Sequence, residues 1–286
     1  MSDDYPRFLA EDFPVMDADA CRFHIFPCPL ERTVSYGGGA AAGPRAILEA
    51  SIELEAWMED GIPGRHGIHV HPPIDCSVPE TRAILDDLGE RVADAVEAGV
   101  IPISLGGEHA ITMGPIEALH RRGRRFGVVQ IDAHADLRDR YEGSRLSHAC
   151  VMHRVLDCKI PMFQLGIRSL SAPEAQLRID HQIPYIDARE LMTQGIPDRI
   201  LPDDFPDEVY LTFDLDAYDA SLMPSTGTPE PGGLFWYEAL GLMEKICAER
   251  RVIAADFVEL APQAGRHAPD FVAAKTVYAF MKCLGN

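Results

Sequence analysis

The sequence lacks a long apolar run, an excess of basic residues and a paired-cysteine motif. No stretch of about 18 or more uncharged apolar residues occurs, so no membrane-spanning helix is expected. The 286 residues carry 26 Lys and Arg against 45 Asp and Glu, a net charge of −19. Such a charge repels nucleic acid and anionic lipid, which excludes both as expected partners, and it tolerates a small cationic substrate.

The cysteines and the N-terminal segment predict a reducing compartment. There are seven cysteines, an odd number, and none forms a C-x-x-C pair. This usage is typical of reduced thiols that fill a core. The first residues, MSDDYPRFLAEDFPVMD, are acidic and have no basic segment followed by an apolar one. We therefore expect no secretory signal and a cytoplasmic location.

Short apolar runs alternate along the chain with longer amphipathic stretches, without internal repeats or a flexible linker. The runs predict buried strands at 21–27, 100–105, 126–131, 161–167, 209–213 and 252–258. The amphipathic stretches predict helices at 44–59, 80–98, 111–122, 148–156 and 237–250, with Ser77 as a capping residue for the second. This alternation predicts one domain over 1–286, a three-layer α/β/α fold with a mostly parallel central sheet.

Polar residues, most of them acidic, follow four of these predicted strands. In a parallel sheet the carboxyl ends of the strands lie at one edge, where ligands bind. Alternate residues of an extended segment point the same way, so the D-x-H-x-D segment at 132–136 can present three side chains to one point. The candidate site residues are His109, Asp132, His134, Asp136, Asp214, Asp216 and Glu259.

Four clustered carboxylates need positive charge. Each of these residues taken singly has a simpler explanation: His109 as a turn residue, Asp132 as a helix cap. Their convergence favours a metal site, because uncompensated buried carboxylates are very costly. Two divalent cations balance four carboxylates, and a carboxylate-rich set with imidazole suits Mn²⁺ better than a thiolate-type zinc site.

Six motifs spread over most of the chain carry a family resemblance. They are SYGGGAAAGPRAILEAS (35–51), GGEHAIT (106–112), DAHADL (132–137), SHA (147–149), TFDLDAYD (212–219) and GTPEPGG (227–233). In order and spacing the chain resembles the ureohydrolase family, which includes arginases and agmatinases, and most resembles agmatinases. It departs from the family at Glu108, often Asp, which we expect to adjust His109, and at Ala220, usually Pro.

The resemblance implies an arginase-like fold and two Mn²⁺ ions held by six side chains. Two carboxylates would bridge the ions, and one imidazole and one carboxylate would complete each ion. The implied set is Asp132 and Asp214 as bridges, His109 with Asp136 on one ion, and His134 with Asp216 on the other.

The resemblance also implies the catalytic groups. A metal-activated water would attack the guanidinium carbon, with Asp136 as acceptor of its proton. His148 would protonate the leaving amine, and Glu259 would pair with the guanidinium through two charge-assisted hydrogen bonds. The simpler alternatives are a helix-start residue for His148 and a surface carboxylate for Glu259.

The segment 137–146 and the TPEPGG motif favour agmatine, cleaved to putrescine and urea. Segment 137–146 does not match the pattern of Asn and Ser with which arginase-like members of the family hold an α-carboxylate. Asp139 and Glu142 suit a terminal ammonium, whereas Arg138 and Arg145 suit a carboxylate such as that of 4-guanidinobutyrate. The alternatives are therefore a guanidinobutyrase or an arginase, and more remotely a non-catalytic binding protein or a single-metal deacylase.

Two further expectations concern the assembly and a histidine pair. Members of the ureohydrolase family commonly form trimers or hexamers, so the resemblance implies a homotrimer or homohexamer. His69 and His71 precede two prolines, and we interpret them as loop residues in preference to metal ligands.

Overall fold

The computed structural model describes residues 5–59 and 61–285. Within them, eight strands form one sheet in which every neighbouring pair is parallel. The strands β1 to β8 are Phe23–Cys28, Ile68–Val70, Ile101–Gly106, Gly127–Ile131, Met162–Leu165, Tyr185–Ile186, Glu208–Asp214 and Arg251–Val258. Their order across the sheet is β2-β1-β3-β8-β7-β4-β5-β6.

Helices cover both faces of this sheet. The helices α1 to α8 are Gly43–Ser51, Thr81–Glu97, Met113–Arg121, Val151–Asp157, Ala172–Asp180, Ala188–Gln194, Trp236–Glu249 and Ala268–Cys283. One apolar core lies between the sheet and α1, α6, α7 and α8, and a second lies between the sheet and α2, α3 and α4. The predicted three-layer α/β/α architecture with a parallel sheet is confirmed.

The helix predicted at 44–59 is shorter than expected, because α1 ends at Ser51. The Ser51 hydroxyl donates to the carbonyl of Leu48 at 2.7 Å and accepts from the amide of Leu9 at 3.1 Å. The chain then continues in tight turns, with Leu54 N donating to Ser51 O at 3.2 Å. Trp57, inside the predicted helical range, lies outside α1 and is exposed.

Ser77 does not cap α2. Its amide and hydroxyl both donate to Asp75 Oδ1, at 2.9 and 2.6 Å, in a turn that precedes the helix. The helix begins after Glu80 without a side-chain cap. The other predicted helices exist with shifted starts: residues His109–Thr112 and His148–Cys150 form 3-10 turns ahead of α3 and α4.

The short strands β2 and β6 and the helices α5, α6 and α8 were not predicted from the sequence.

All seven cysteines are free thiols, and Cys21, Cys28 and Cys150 are buried. Across the described residues, no helix combines the length and the apolar character that crossing a bilayer requires.

Candidate active site

A cavity of about 180 Å³ opens at the carboxyl edge of the sheet, where β3, β4, β7 and β8 end. All the predicted site residues except the deeper Asp132 line it. The lining includes Tyr36, His109, His134, Asp136, Arg138, Tyr141, His148, Asp214, Asp216 and Glu259. Residues separated by up to about 220 positions in the sequence therefore meet at one place.

Close backbone contacts bring the ends of β3 and β8 together. Gly107 N donates to Cys28 O at 2.9 Å, and Glu259 N donates to Gly107 O at 2.8 Å. A Cβ atom at Gly107 would lie 2.0 Å from the carbonyl oxygen of Leu30, so only glycine fits there. This glycine thus allows the turn that leads into His109.

The first of two ligand-type groups consists of His109, Asp132 and Asp214, all buried. His109 Nδ1 lies 3.2 Å from Asp132 Oδ2, 3.4 Å from Asp214 Oδ2 and 2.9 Å from Asp136 Oδ2. Despite these short distances, Nδ1 has no hydrogen bond of acceptable geometry within the described residues. A buried imidazole nitrogen that faces three carboxylates without such a bond is the geometry of a cation site.

The second group consists of Asp132, His134 and Asp216. His134 Nδ1 lies 2.8 Å from Asp216 Oδ2 and 3.8 Å from Asp132 Oδ1. Asp132 therefore belongs to both groups, whereas Asp214 belongs to the first and is linked to the second by a bond from Asp216 N to Asp214 Oδ1 at 2.8 Å.

Burial and mutual repulsion shift the protonation of these groups. Burial and the charges of Asp136 and Asp216 raise the pKa of Asp132 to about 7. Burial by itself would lower the pKa of His134, but the neighbouring Asp216 and Asp132 carboxylates outweigh it and raise that pKa to about 11. The cluster thus retains protons that a cation would replace.

The D-x-H-x-D segment is not the extended strand that the alternation argument assumed. The strand β4 ends at Ile131, and Asp136 adopts a left-handed backbone with φ 52°. Glu259, just after β8, is likewise left-handed with φ 69°. Two non-glycine residues in this sparsely populated region lie at the same cavity, where the surrounding hydrogen bonds must maintain the strain.

Two hydrogen-bonding residues, Thr212 and Asp256, fix the orientation of His109. Neither was predicted from the sequence. Its Nε2 donates to Thr212 Oγ1 at 2.8 Å, and Thr212 Oγ1 donates to Asp256 Oδ1 at 2.6 Å. Tyr210 donates to the other oxygen of Asp256 at 2.7 Å. This chain leaves Nδ1 as the free nitrogen that faces the carboxylates. The sequence signal that could have revealed this chain of hydrogen bonds is Asp256, an aspartate inside the apolar run at 252–258.

Glu108 does not act on the His109 ring as expected. Its Oε2 accepts from the amides of Arg32 and Thr33 at 2.7 and 2.6 Å, and its Oε1 accepts from Thr33 Oγ1 at 3.1 Å. Because the Thr33 hydrogen points to Glu108, Thr33 Oγ1 accepts from His148 Nδ1 at 3.2 Å and from the His148 amide at 3.0 Å. Glu108 and Thr33 therefore orient His148 at the cavity.

Glu259 is buried at the base of the cavity. Its Oε1 accepts from the amide of His109 at 2.6 Å. Burial raises the pKa of Glu259 to about 8, with a smaller contribution from the Glu108 charge. A cation placed in the cavity would favour its ionised form.

Comparisons with known proteins identify the family of this chain. A family model described as the arginase family matches residues 21–283. This chain belongs to the arginase family.

Within the arginase family, the chain is similar to agmatinases and to an N(1)-aminopropylagmatine ureohydrolase. The N(1)-aminopropylagmatine ureohydrolase of Synechocystis sp. is 39% identical, over 98% of this chain and 94% of that one. The agmatinase of Pyrococcus horikoshii is 29% identical over 95% of each chain. The crystal structure of agmatine ureohydrolase of Thermoplasma volcanium matches with a TM-score of 0.82 at 28% identity, over 96% of each chain. The chain is accordingly an agmatinase-like ureohydrolase, a hydrolytic enzyme of the arginase family.

The segment 137–146 of this arginase-family chain only partly reaches the cavity. Asp139 is held by Arg154 at 2.7 Å and Arg145 at 3.2 Å and does not line the cavity. Arg138 does line it, with its guanidinium 5.1 Å from the centre of the Tyr141 ring. Glu142 is absent from the lining. Neither of the two acidic residues that were expected to contact a terminal ammonium lines the cavity.

Proposed function

We propose that this chain is a two-manganese ureohydrolase that cleaves agmatine to putrescine and urea. The observation that carries the proposal is the pair of carboxylate–imidazole groups that share Asp132, at a cavity that Glu259 also lines. The similarity to curated agmatinase and N(1)-aminopropylagmatine ureohydrolase sequences supports it.

The donor set fits a pair of cations, because His109 Nδ1 is buried without a hydrogen-bond partner in the described chain and faces carboxylate oxygens. The carboxylates and imidazoles together match the ligand preference of Mn²⁺. Two such ions would supply the counter-charge for the carboxylates and the acidity that deprotonates a water at neutral pH. The proposed ligands are His109, Asp132, His134, Asp136, Asp214 and Asp216.

Asp136 and His148 are the proposed proton-transfer groups. The water oxygen forms a bond to the guanidinium carbon, and Asp136 accepts the proton that this water loses. The bond between that carbon and the alkyl-bearing nitrogen then breaks, and the departing nitrogen must gain a proton. His148 donates it from Nε2 as the doubly protonated imidazolium, because its Nδ1 hydrogen is donated to Thr33. The proton that Asp136 takes from the water restores the imidazolium for the next cycle. The products are urea and the amine.

Glu259 is the proposed guanidinium-binding residue. The bond from the His109 amide fixes one carboxylate oxygen, so the group has a set orientation. A planar guanidinium can donate two parallel, charge-assisted hydrogen bonds to a carboxylate. This pairing would hold the guanidinium carbon beside the six proposed metal ligands.

N(1)-aminopropylagmatine is the second candidate substrate, favoured by the name of the 39% identical relative. It extends agmatine by an aminopropyl group and so needs room beyond the cavity. Tyr36 and Tyr141 line the cavity, and Tyr36 is 87% exposed. Aromatic faces at such a mouth attract ammonium groups through cation–π interaction. Arg138, in contrast, disfavours an ammonium close to it.

A substrate panel tests the proposal. Protein supplied with Mn²⁺ is assayed for urea release from agmatine, N(1)-aminopropylagmatine, arginine and 4-guanidinobutyrate. We expect one of the two carboxylate-free cations to have the highest kcat/KM. A strong preference for arginine or 4-guanidinobutyrate would overturn the substrate assignment, and no urea from any of them would support a binding role instead.

We also propose that residues 1–286 act as one ureohydrolase domain, that the location is cytoplasmic and that the assembly is a homotrimer or homohexamer. The acidic charge and the free cysteines are compatible with a reducing cytoplasm. Sedimentation equilibrium of the full chain distinguishes a monomer from a trimer or hexamer.

A further inference from the structure

Three histidines outside the catalytic cavity lie together at the edge of the sheet. His24 is in β1 and pairs directly with His69 in β2, and His71 follows two residues later. Directly paired and alternate residues share one face of a sheet, so all three imidazoles lie on the same side. Their ring centres are 4.5 Å (His69–His71), 5.0 Å (His24–His71) and 5.4 Å (His24–His69) apart.

Two of these rings already present nitrogens to each other. His24 Nε2 donates to the carbonyl oxygen of Ala18 at 3.0 Å, which leaves Nδ1 as the unprotonated nitrogen of the neutral ring. His71 Nε2 donates a hydrogen bond to that Nδ1 at 3.0 Å. Two imidazole nitrogens on a tetrahedral zinc, with Zn–N distances of about 2.0–2.1 Å, are separated by roughly 3.3 Å. A metal ion could therefore replace the hydrogen of this bond if the two nitrogens moved apart by a few tenths of an ångström.

Burial and aromatic stacking keep the His71 ring uncharged and oriented. Burial, with smaller contributions from His69 and His24, lowers the pKa of His71 to about 4. The His71 ring stacks on Phe26 with centres 4.2 Å apart. Arg91 is the cation facing His71, and two hydrogen bonds of 2.9 and 3.1 Å to Asp87 partly neutralise it. Unprotonated imidazole is the form that binds metals.

The geometry points to a second metal site, in which His24, His69 and His71 bind a divalent ion of the imidazole-preferring class, Zn²⁺ being the representative. The hydrogen bond from His24 Nε2 to the Ala18 carbonyl oxygen would fix the His24 tautomer whose unprotonated Nδ1 can bind a metal. The nitrogens of the three rings do not yet converge on one point, since the ligand-type groups of the described chain are those at the cavity. Binding would therefore require the His69 side chain to rotate so that one of its nitrogens joins those of His24 and His71.

Such an ion would clamp the outermost strand. The strand β2 has three residues and pairs with β1 alone. A bound ion would tie β2, β1 and, through Ala18, the 3-10 turn Ala18–Ala20 into one unit. The site is independent of catalysis, because none of the three histidines lines the catalytic cavity.

Metal stoichiometry on the full chain tests this site. Chelator-stripped protein is dialysed against micromolar Zn²⁺, and bound zinc is counted by mass spectrometry for wild type, His69→Gln, His71→Phe and the control His181→Gln. His71→Phe retains an aromatic ring against Phe26, and His181 is exposed at the end of α5. We expect both cluster variants to bind one equivalent fewer than wild type and than the control, with manganese-supported urea release unchanged in His69→Gln.

A Cu²⁺ spectrum gives a second readout that does not depend on counting. Electron paramagnetic resonance of copper-loaded wild type and His181→Gln should show an imidazole-coupled signal in addition to the one from His109 and His134 at the catalytic cavity, and this additional signal should be lost in His69→Gln. Equal zinc content in wild type, His69→Gln and His181→Gln would overturn the proposal. So would zinc binding that needs millimolar concentration in wild type. If His71→Phe fails to fold, His69→Gln alone decides.

Discussion

At the scale of single residues, Asp132 has the largest expected effect, because it belongs to both ligand-type groups. Gln130 Nε2 donates to its Oδ2 at 2.7 Å, and the His134 amide donates to its Oδ1 at 2.6 Å, so its orientation is fixed. A side chain this constrained serves as a shared anchor for the two groups.

Removing the charge of Asp132 should therefore abolish activity. Asp132→Asn keeps the shape but removes a negative charge that both proposed ions need, and Asp214→Asn removes the other proposed bridge. We expect urea release to fall by at least about 1,000-fold and retained manganese to decrease. The matched control is Asp139→Asn, which pairs with Arg154 outside the cavity. Near-normal turnover in Asp132→Asn would rule out its proposed role.

Glu259→Gln should weaken guanidinium binding. The amide retains the size of the carboxylate but loses the charge-assisted pairing, which contributes about 1.5–3 kcal/mol. We expect kcat/KM for agmatine to fall roughly 10- to 150-fold. Kinetics at saturating Mn²⁺ measure this, and an unchanged kcat/KM would contradict the assignment of Glu259 as the guanidinium partner.

Thr33→Val should disturb His148 without removing it. The substitution deletes the hydroxyl that accepts from His148 Nδ1 and from its amide. A hydrogen bond of this kind contributes about 1 kcal/mol, so we expect kcat to fall about 5-fold or more and the basic limb of the pH–rate profile to shift. Thr33→Ser should restore both. If kcat and the profile are the same in Thr33→Val, Thr33 does not position His148.

At the scale of elements, the edge pair β1–β2 should become less stable in mild acid. The pKa of His71 is lowered to about 4 by burial, His69 and His24, with Arg91 adding to it, against 6.5 in a model peptide. Between these values the unfolded chain binds more protons than the folded one, so stability decreases as pH falls from about 6.5 to 4. Below pH 4 this contribution no longer changes.

Thermal unfolding in the presence of a chelator measures this effect. We expect the Tm of wild type to fall more steeply between pH 6.5 and 4 than the Tm of His71→Phe, which has no proton to bind at this position. Parallel curves for the two proteins would show that His71 does not contribute to the acid sensitivity.

Strand positions were predictable because each buried strand is a short apolar run. The end of α1 was not, since it depends on a bond between Ser51 and Leu9, 42 residues away in sequence. The left-handed backbone conformation of Asp136 was not predictable either, because the alternation of side chains applies only to extended residues and β4 ends at Ile131. Asp256 and Thr33 were missed for a related reason: their roles exist only once separate elements meet.

At the scale of the whole molecule, the parallel sheet brings the ends of four strands to one cavity. This convergence was predictable from the sequence, because parallel strands end at a common edge and four of the six predicted strands were followed by polar residues. The substrate end of the cavity was less predictable. The Asp139 carboxylate was expected near a terminal ammonium and is instead paired with Arg154.

The central claim is that this arginase-family chain hydrolyses a guanidino substrate through a pair of metal ions, and a manganese titration tests it most directly. Chelator-stripped protein receives increasing Mn²⁺, and bound metal and urea release from agmatine are measured together. The account predicts no urea without metal and activity that rises until two equivalents are bound in wild type. Full activity in stripped protein, or saturation without bound manganese, would contradict it.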